Sequence, residues 1–283
     1  MTTKQIQKSI YWLFLALILG YTVFRAWKVS PLFDEVASFF VYFFGGHVWD
    51  EHTLIDANNH LLISYLGHFW FKNGFDSFFF YRLISVLGFL GYTLAWHVIL
   101  VKQLALKWGR FLVVCVVAVP WIIEYGALAR GYGFSIAAWM WLIILVVSFI
   151  NKPCPWKIIA FYLLSWLGIF SSFTFTVPNF LLIGVLLVYI LTTFKQHSRK
   201  IKIVYILSTA LFGLAYLPFF ELSLKLKESG SLWWGSTDGL WVVTGKSIAE
   251  LVFFNTSIGV RILINSIFIF SLYTWIKSLE VSR

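Results

Sequence analysis

Asp34 and Glu35 follow directly on the first long apolar stretch, and a little further on Asp56, Asn58, Asn59 and His60 crowd four polar side chains into five positions. A carboxylate at the boundary between water and lipid is well placed for general-base work, and ionisable groups at a membrane tend to mark function. A solvated helix cap would account for Asp34-Glu35, and for either Asp56 or Asn58, but not for the whole second cluster. His47, Asp50, Glu51, His52, Asp56 and His60 are also metal-ligand types within one segment. No HExxH occurs and their spacings match no tight ligand motif, so no metal and no other cofactor is assigned, with a divalent ion as the alternative. Two cations complete the set. Arg82 and Arg130 are each placed at the end of an apolar run, where a guanidinium suits a phosphate at headgroup level. The simpler role for Arg130 is a snorkelling side chain paired with Glu124 or a lipid. Gly131 and Gly133 flank Tyr132 beside Arg130 and permit close approach of a ligand or another backbone.

The elements that position these residues belong to a chain built for lipid. It has 283 residues, of which 60% are hydrophobic, 20% aromatic and only 12% charged, with a mean hydropathy of +0.84. A soluble domain carries about 25% charged residues. Apolar runs near 10–28, 83–101, 111–129, 131–150, 158–177, 178–194, 203–220 and 258–276 approach the length that crosses a bilayer as a helix. The sequence therefore predicts an all-α integral membrane protein, a single polytopic domain over 1–283 with about eight transmembrane helices. The first run passes into Arg25 and Lys28 without a small-residue cleavage site and reads as an uncleaved anchor. No soluble domain is expected after the last span.

With the N-terminus inside, most of the lysines and arginines gather on the cytoplasmic side, as the positive-inside tendency requires, and of the 12 acidic residues only Glu280 joins them. The net charge of +10 then answers to anionic lipid rather than nucleic acid. Two links are long. The first, about 29–81, is external and should contain interfacial helices at Val36–Phe44 and Leu61–Phe71, and the second, about 222–257, is a flexible aromatic loop able to cover a site. Cys115 and Cys154 offer neither a disulfide framework nor a metal spacing.

On Asp34-Glu35 after the first span, the Asp-x-Asn-Asn-His run from Asp56 to His60, Gly74 to Ser77 leading into Tyr81-Arg82-Leu83, and Ala129-Arg130-Gly131-Tyr132, the chain resembles GT-C-fold glycosyltransferases of the protein O-mannosyltransferase and aminoarabinose transferase group. The resemblance covers about the first half of the chain. It departs from the family pattern at Leu61, where Pro usually follows the His, and in the chain's short length. It implies transfer of a sugar from a polyprenyl-phosphate donor to an extracytoplasmic glycan, lipid or protein acceptor, with inversion, at the outer face of the plasma (inner) membrane. Asp34 would be the base. Glu35, Asp56, Asn58, Asn59, His60 and Tyr132 would orient donor or acceptor, and Arg130 with Arg82 would hold the phosphate. The alternative is a non-enzymatic lipid-linked-sugar carrier or an inactive relative.

Overall fold

The computed structural model describes residues 3–49 and 59–228. By its internal contacts the chain divides into one unit of Met1–Ala118 with Ile122–Leu232 and another of Val119–Trp121 with Trp233–Arg283. Almost all the described residues belong to the first. Their regular elements are all helical, with no strand among them, as a bilayer demands of a chain that must satisfy its own backbone groups.

Helix α1 is Thr3–Lys28, α2 Phe33–Ser38 (continuing as a π-helical turn, Phe39–Phe44), α3 Leu61–Lys72 and α4 Phe78–His97 (continuing likewise over Val98–Gln103). Then come α5 Gly109–Val117, α6 Pro120–Ala127, α7 Tyr132–Asn151, α8 Pro155–Ser171, α9 Thr176–Thr192 and α10 Arg199–Glu228. Among the described residues five stretches, 5–28, 78–103, 132–151, 173–192 and 199–228, are long and apolar enough to cross a membrane, and six if the bent pair α5 and α6 is one span. Helix α8, at 17 residues, is a shorter apolar helix. The expected span at 258–276 lies outside the described residues, as does the expected loop beyond Glu228.

Three boundaries differ from the sequence reading. The run at 111–129 is broken by a bend of 60° between α5 and α6. Pro120 opens α6, and its missing N–H and its ring are tolerated at a helix start but not within a continuous span. The run at 158–177 ends at Ser171, because Ser172 is extended and a 3-10 turn at Phe173–Phe175 leads into α9. Pro178 then sits in the first turn of α9, where no intrahelical N–H is needed. Helix α10 runs on through residues assigned to the second long loop, with Glu221 and Lys225 paired one turn apart at 2.8 Å. The two short segments expected to be helical in the first long link are so, as α2 with its π turn and as α3.

Helix α7 lies between α4 and α8, and α8 carries α10. Small residues make the first contacts close. A Cβ on Gly88 would stand 2.6 Å from the backbone N of Phe134, and one on Gly168 would stand 3.3 Å from the Cβ of Ala138. Such contacts join helices in a medium that supplies no hydrophobic drive between them. Polar atoms add to the join: Trp141 Nε1 donates to Gly91 O at 2.9 Å, and Ser135 Oγ to Gly168 O at 2.8 Å. At the opposite end of the bundle, the Lys157 ammonium caps α7 by donating to Ser148 O and Lys152 O.

Candidate functional site

The end of α1, helix α2, the start of α4, the turn between α6 and α7 and the end of α8 meet at one end of the bundle, and a buried ion pair ties the first four together. Glu35 and Arg82 are 1% exposed each. Arg82 Nε donates to Glu35 Oε1 at 2.8 Å and Nη2 to Oε2 at 2.6 Å, a bidentate fork. Its remaining N–H groups reach the carbonyls where α1 ends: Ala26 O at 3.0 Å, Val29 O at 2.7 Å and Ser30 O at 3.4 Å. All five guanidinium donors are thereby used within the chain. Glu35 is equally occupied, since Oε1 also accepts from Ala129 N at 2.6 Å and Oε2 from Leu32 N at 3.0 Å. The latter is the backbone half of a capping box at the start of α2.

In this arrangement neither Glu35 nor Arg82 keeps a polar group for a donor sugar or a phosphate, the roles expected of them from sequence. They hold their neighbours instead. Asp34, next to Glu35, has a side chain 54% exposed, and its Oδ2 lies 3.1 Å from Nη1 of Arg130, which is 11% exposed and next to Ala129. The buried pair thus fixes an accessible carboxylate beside a guanidinium. Glu124 pairs with Arg25 rather than with Arg130.

The turn carrying Arg130 is held by two serines that sequence reasoning misses. Ser85 Oγ donates to Arg130 O at 2.7 Å, and Ser171 Oγ to Gly131 O at 2.9 Å. Each lies inside an apolar run, and a serine buried on an apolar helix is the signal that could have marked it. Gly131 is required by contact: a Cβ there would overlap the carbonyl oxygen of Ser171. Gly131→Ala should destabilise the protein by about 3 kcal/mol or more, because the obstacle is backbone that cannot rotate away. Gly184, where an added Cβ would meet nothing within 4 Å, is the control. In thermal unfolding in detergent, Gly184→Ala should match the wild type, and equal behaviour of both variants would refute the close-contact argument.

His60 closes the group from α3. It is 4% exposed, stacks edge-on to Tyr132 at 4.7 Å, and its Nδ1–H donates to Ser171 O at 3.2 Å. That bond fixes the neutral tautomer, leaving Nε2 as an acceptor with no partner among the described residues. Burial, with the nearby Arg130 charge second, lowers the pKa of His60 from 6.5 to about 3. Unfolding therefore takes up a proton at His60 wherever the pH lies between those values. Stability should be insensitive to this residue above about pH 7 and fall as the pH drops from 6.5 towards 3. Denaturant midpoints at pH 7.5, 6 and 5 for wild type and His60→Gln check this, and a parallel pH response in both would exclude His60 as the source.

The Arg130 guanidinium lies 5.6 Å from the centre of the Tyr132 ring, so Arg130, Tyr132, His60 and Asp34 form one connected group. Asn59 has a local role, its Nδ2 donating to Val48 O at 3.2 Å and its Oδ1 accepting from Ser64 Oγ at 2.8 Å. Asp56 and Asn58 lie outside the described residues, as do Asp50, Glu51 and His52 of the suggested metal segment. Among the described residues no three His, Cys, Asp or Glu side chains gather as a metal site would require. His68 is committed to Phe43 O through Nδ1 at 2.7 Å.

Comparison of the chain with protein-family models, with curated proteins and with solved structures gave no match in any of the three.

Proposed function

We propose that the protein is an integral membrane glycosyltransferase of the GT-C kind, moving a sugar from a polyprenyl-phosphate donor to an extracytoplasmic acceptor with inversion. The observation that carries this reading is the accessible Asp34 carboxylate held 3.1 Å from the Arg130 guanidinium by a buried framework. The two groups match the two demands of the reaction. Asp34 takes the proton from the acceptor hydroxyl as its oxygen attacks the anomeric carbon from the face opposite the phosphate. The bond from that carbon to the phosphate oxygen breaks, and polyprenyl phosphate leaves with the electron pair. Arg130 balances the charge that grows on it. A bound phosphate competes with Asp34 for Arg130, so donor binding would free the carboxylate for the acceptor. Tyr132 and the Nε2 of His60 are the neighbouring groups able to orient a sugar hydroxyl, with Asp56 and Asn58 as further candidates from sequence. The reading uses no metal and puts the chemistry on the outer side of the plasma (inner) membrane.

A carrier for the same lipid-linked sugar would bind it without cleavage, and transporters keep their polar residues near the bilayer midplane. Here Asp, Glu, Lys and Arg stand only towards the ends of the described spans, which favours chemistry at the surface. The test is release of polyprenyl phosphate from a panel of polyprenyl-phosphate hexoses and pentoses, by membranes containing the protein with cell-envelope extract as acceptor. Release that requires the acceptor extract identifies a transferase and its sugar. Intact donor across the panel, with folded protein present, removes the reading and leaves the carrier.

A further inference from the structure

At the end of the bundle opposite Asp34, a groove of about 660 Å³ opens between the first turns of α1 and the start of α5. Its walls are Ile10, Phe14, Phe111 and Val114, and Lys107 and Arg110 stand along it. The size falls within the roughly 300–1,000 Å³ of ordinary small-molecule sites. Two features distinguish it from the Asp34 end.

The first is charge. Arg25, Arg82 and Arg130 at the far end are each paired with a carboxylate of this chain: Glu124, Glu35 and Asp34. Among the described residues no carboxylate pairs with Lys107 or Arg110. The second is shape. Phe14, Phe111 and Trp108 are 50%, 63% and 67% exposed, so the cations sit above apolar surface rather than above a polar one. Cations with no carboxylate partner among the described residues, at the rim of an apolar groove between helices, complement an anionic headgroup with its acyl chain below.

We propose that this groove is a binding site for an anionic phospholipid of the adjacent leaflet, with the phosphodiester on Lys107 and Arg110 and an acyl chain along Ile10, Phe14, Phe111 and Val114. A soluble phosphate ester would meet the same two cations but would leave the apolar wall uncovered. The site lies away from Asp34 and Arg130 and stands whether or not the protein transfers a sugar.

The test is native mass spectrometry of the full chain released from detergent containing equal amounts of phosphatidylglycerol and phosphatidylcholine. Wild type should retain phosphatidylglycerol in preference to phosphatidylcholine. Lys107→Gln/Arg110→Gln should reduce that preference by about 25-fold, since each cation near a membrane surface favours an anionic lipid about fivefold. Val114→Trp, which fills the groove and keeps both charges, should reduce it as well. Lys195→Gln/Lys200→Gln, a pair of exposed lysines outside the groove, should leave it unchanged. Equal retention by wild type and the Lys107/Arg110 variant overturns the proposal. So does an equal loss in the Lys195/Lys200 control, which would mean general charge attraction, or full retention by Val114→Trp. Headgroup binding that is matched by glycerol phosphate alone would assign the cations to a soluble ester and likewise overturn it.

Discussion

Asp34→Asn should lower sugar transfer by about 10²–10⁴-fold, the range lost when a positioned general base is removed. The substitution keeps the shape of the side chain and removes only its ability to take a proton. It should leave the fold intact, because the Asp34 side chain is 54% exposed and the Asn amide keeps an oxygen that can accept from Arg130. Polyprenyl phosphate release and thermal unfolding, measured on the same preparations, separate the two effects. Transfer at the wild-type rate would remove Asp34 as the base, and unfolding of the variant would show that its partnership with Arg130 is structural.

Arg82→Met should destabilise the protein by about 3–5 kcal/mol, as removal of one partner from a buried pair does elsewhere. The reason is specific to this site. Met leaves the Glu35 carboxylate buried without its cation and deprives Ala26 O, Val29 O and Ser30 O of their donor. Glu35→Met/Arg82→Met, which removes both charges, should lose clearly less than the sum of the two single variants. Chemical denaturation of the purified variants in detergent gives the comparison. An Arg82→Met midpoint indistinguishable from wild type would mean that the pair does not hold the helices together, and the positioning of Asp34 and Arg130 would need another cause.

The spans that hydropathy alone locates are those whose ends coincide with a change of composition. Helix α1 runs into Arg25 and Lys28, and α7 stops before Lys152 and Pro153. The bend at Pro120 is also written in the residue type, but a continuous apolar run hides it, since apolarity reports depth and not backbone continuity. Asp34, His60 and Arg130 stand out as polar residues in an apolar chain, and the structure brings all three to one end. Which of them touch is not legible. Glu124 is the nearest carboxylate to Arg130 in sequence, yet it joins Arg25, 99 residues away, while Glu35 joins Arg82, 47 residues away. Partner choice depends on how helices cross, and no local pattern carries that. For the same reason Glu35 and Arg82, which read in sequence as groups for a ligand, are bonded to the chain's own groups. Ser85 and Ser171, which look ordinary in sequence, hold the backbone of Arg130 and Gly131.

The Glu35 contacts also impose an order on synthesis. Its cation is made 47 residues later and its backbone donor Ala129 94 residues later. At about 5–20 residues per second, Glu35 waits for several seconds or more before Arg82 leaves the ribosome, and as long again for Ala129. Burying an ionised carboxylate without its partners is costly. Burial of α2 with Glu35 ionised therefore has to follow the arrival of Arg82. A nascent chain halted before residue 129 would hold Asp34 at the surface with nothing opposite it.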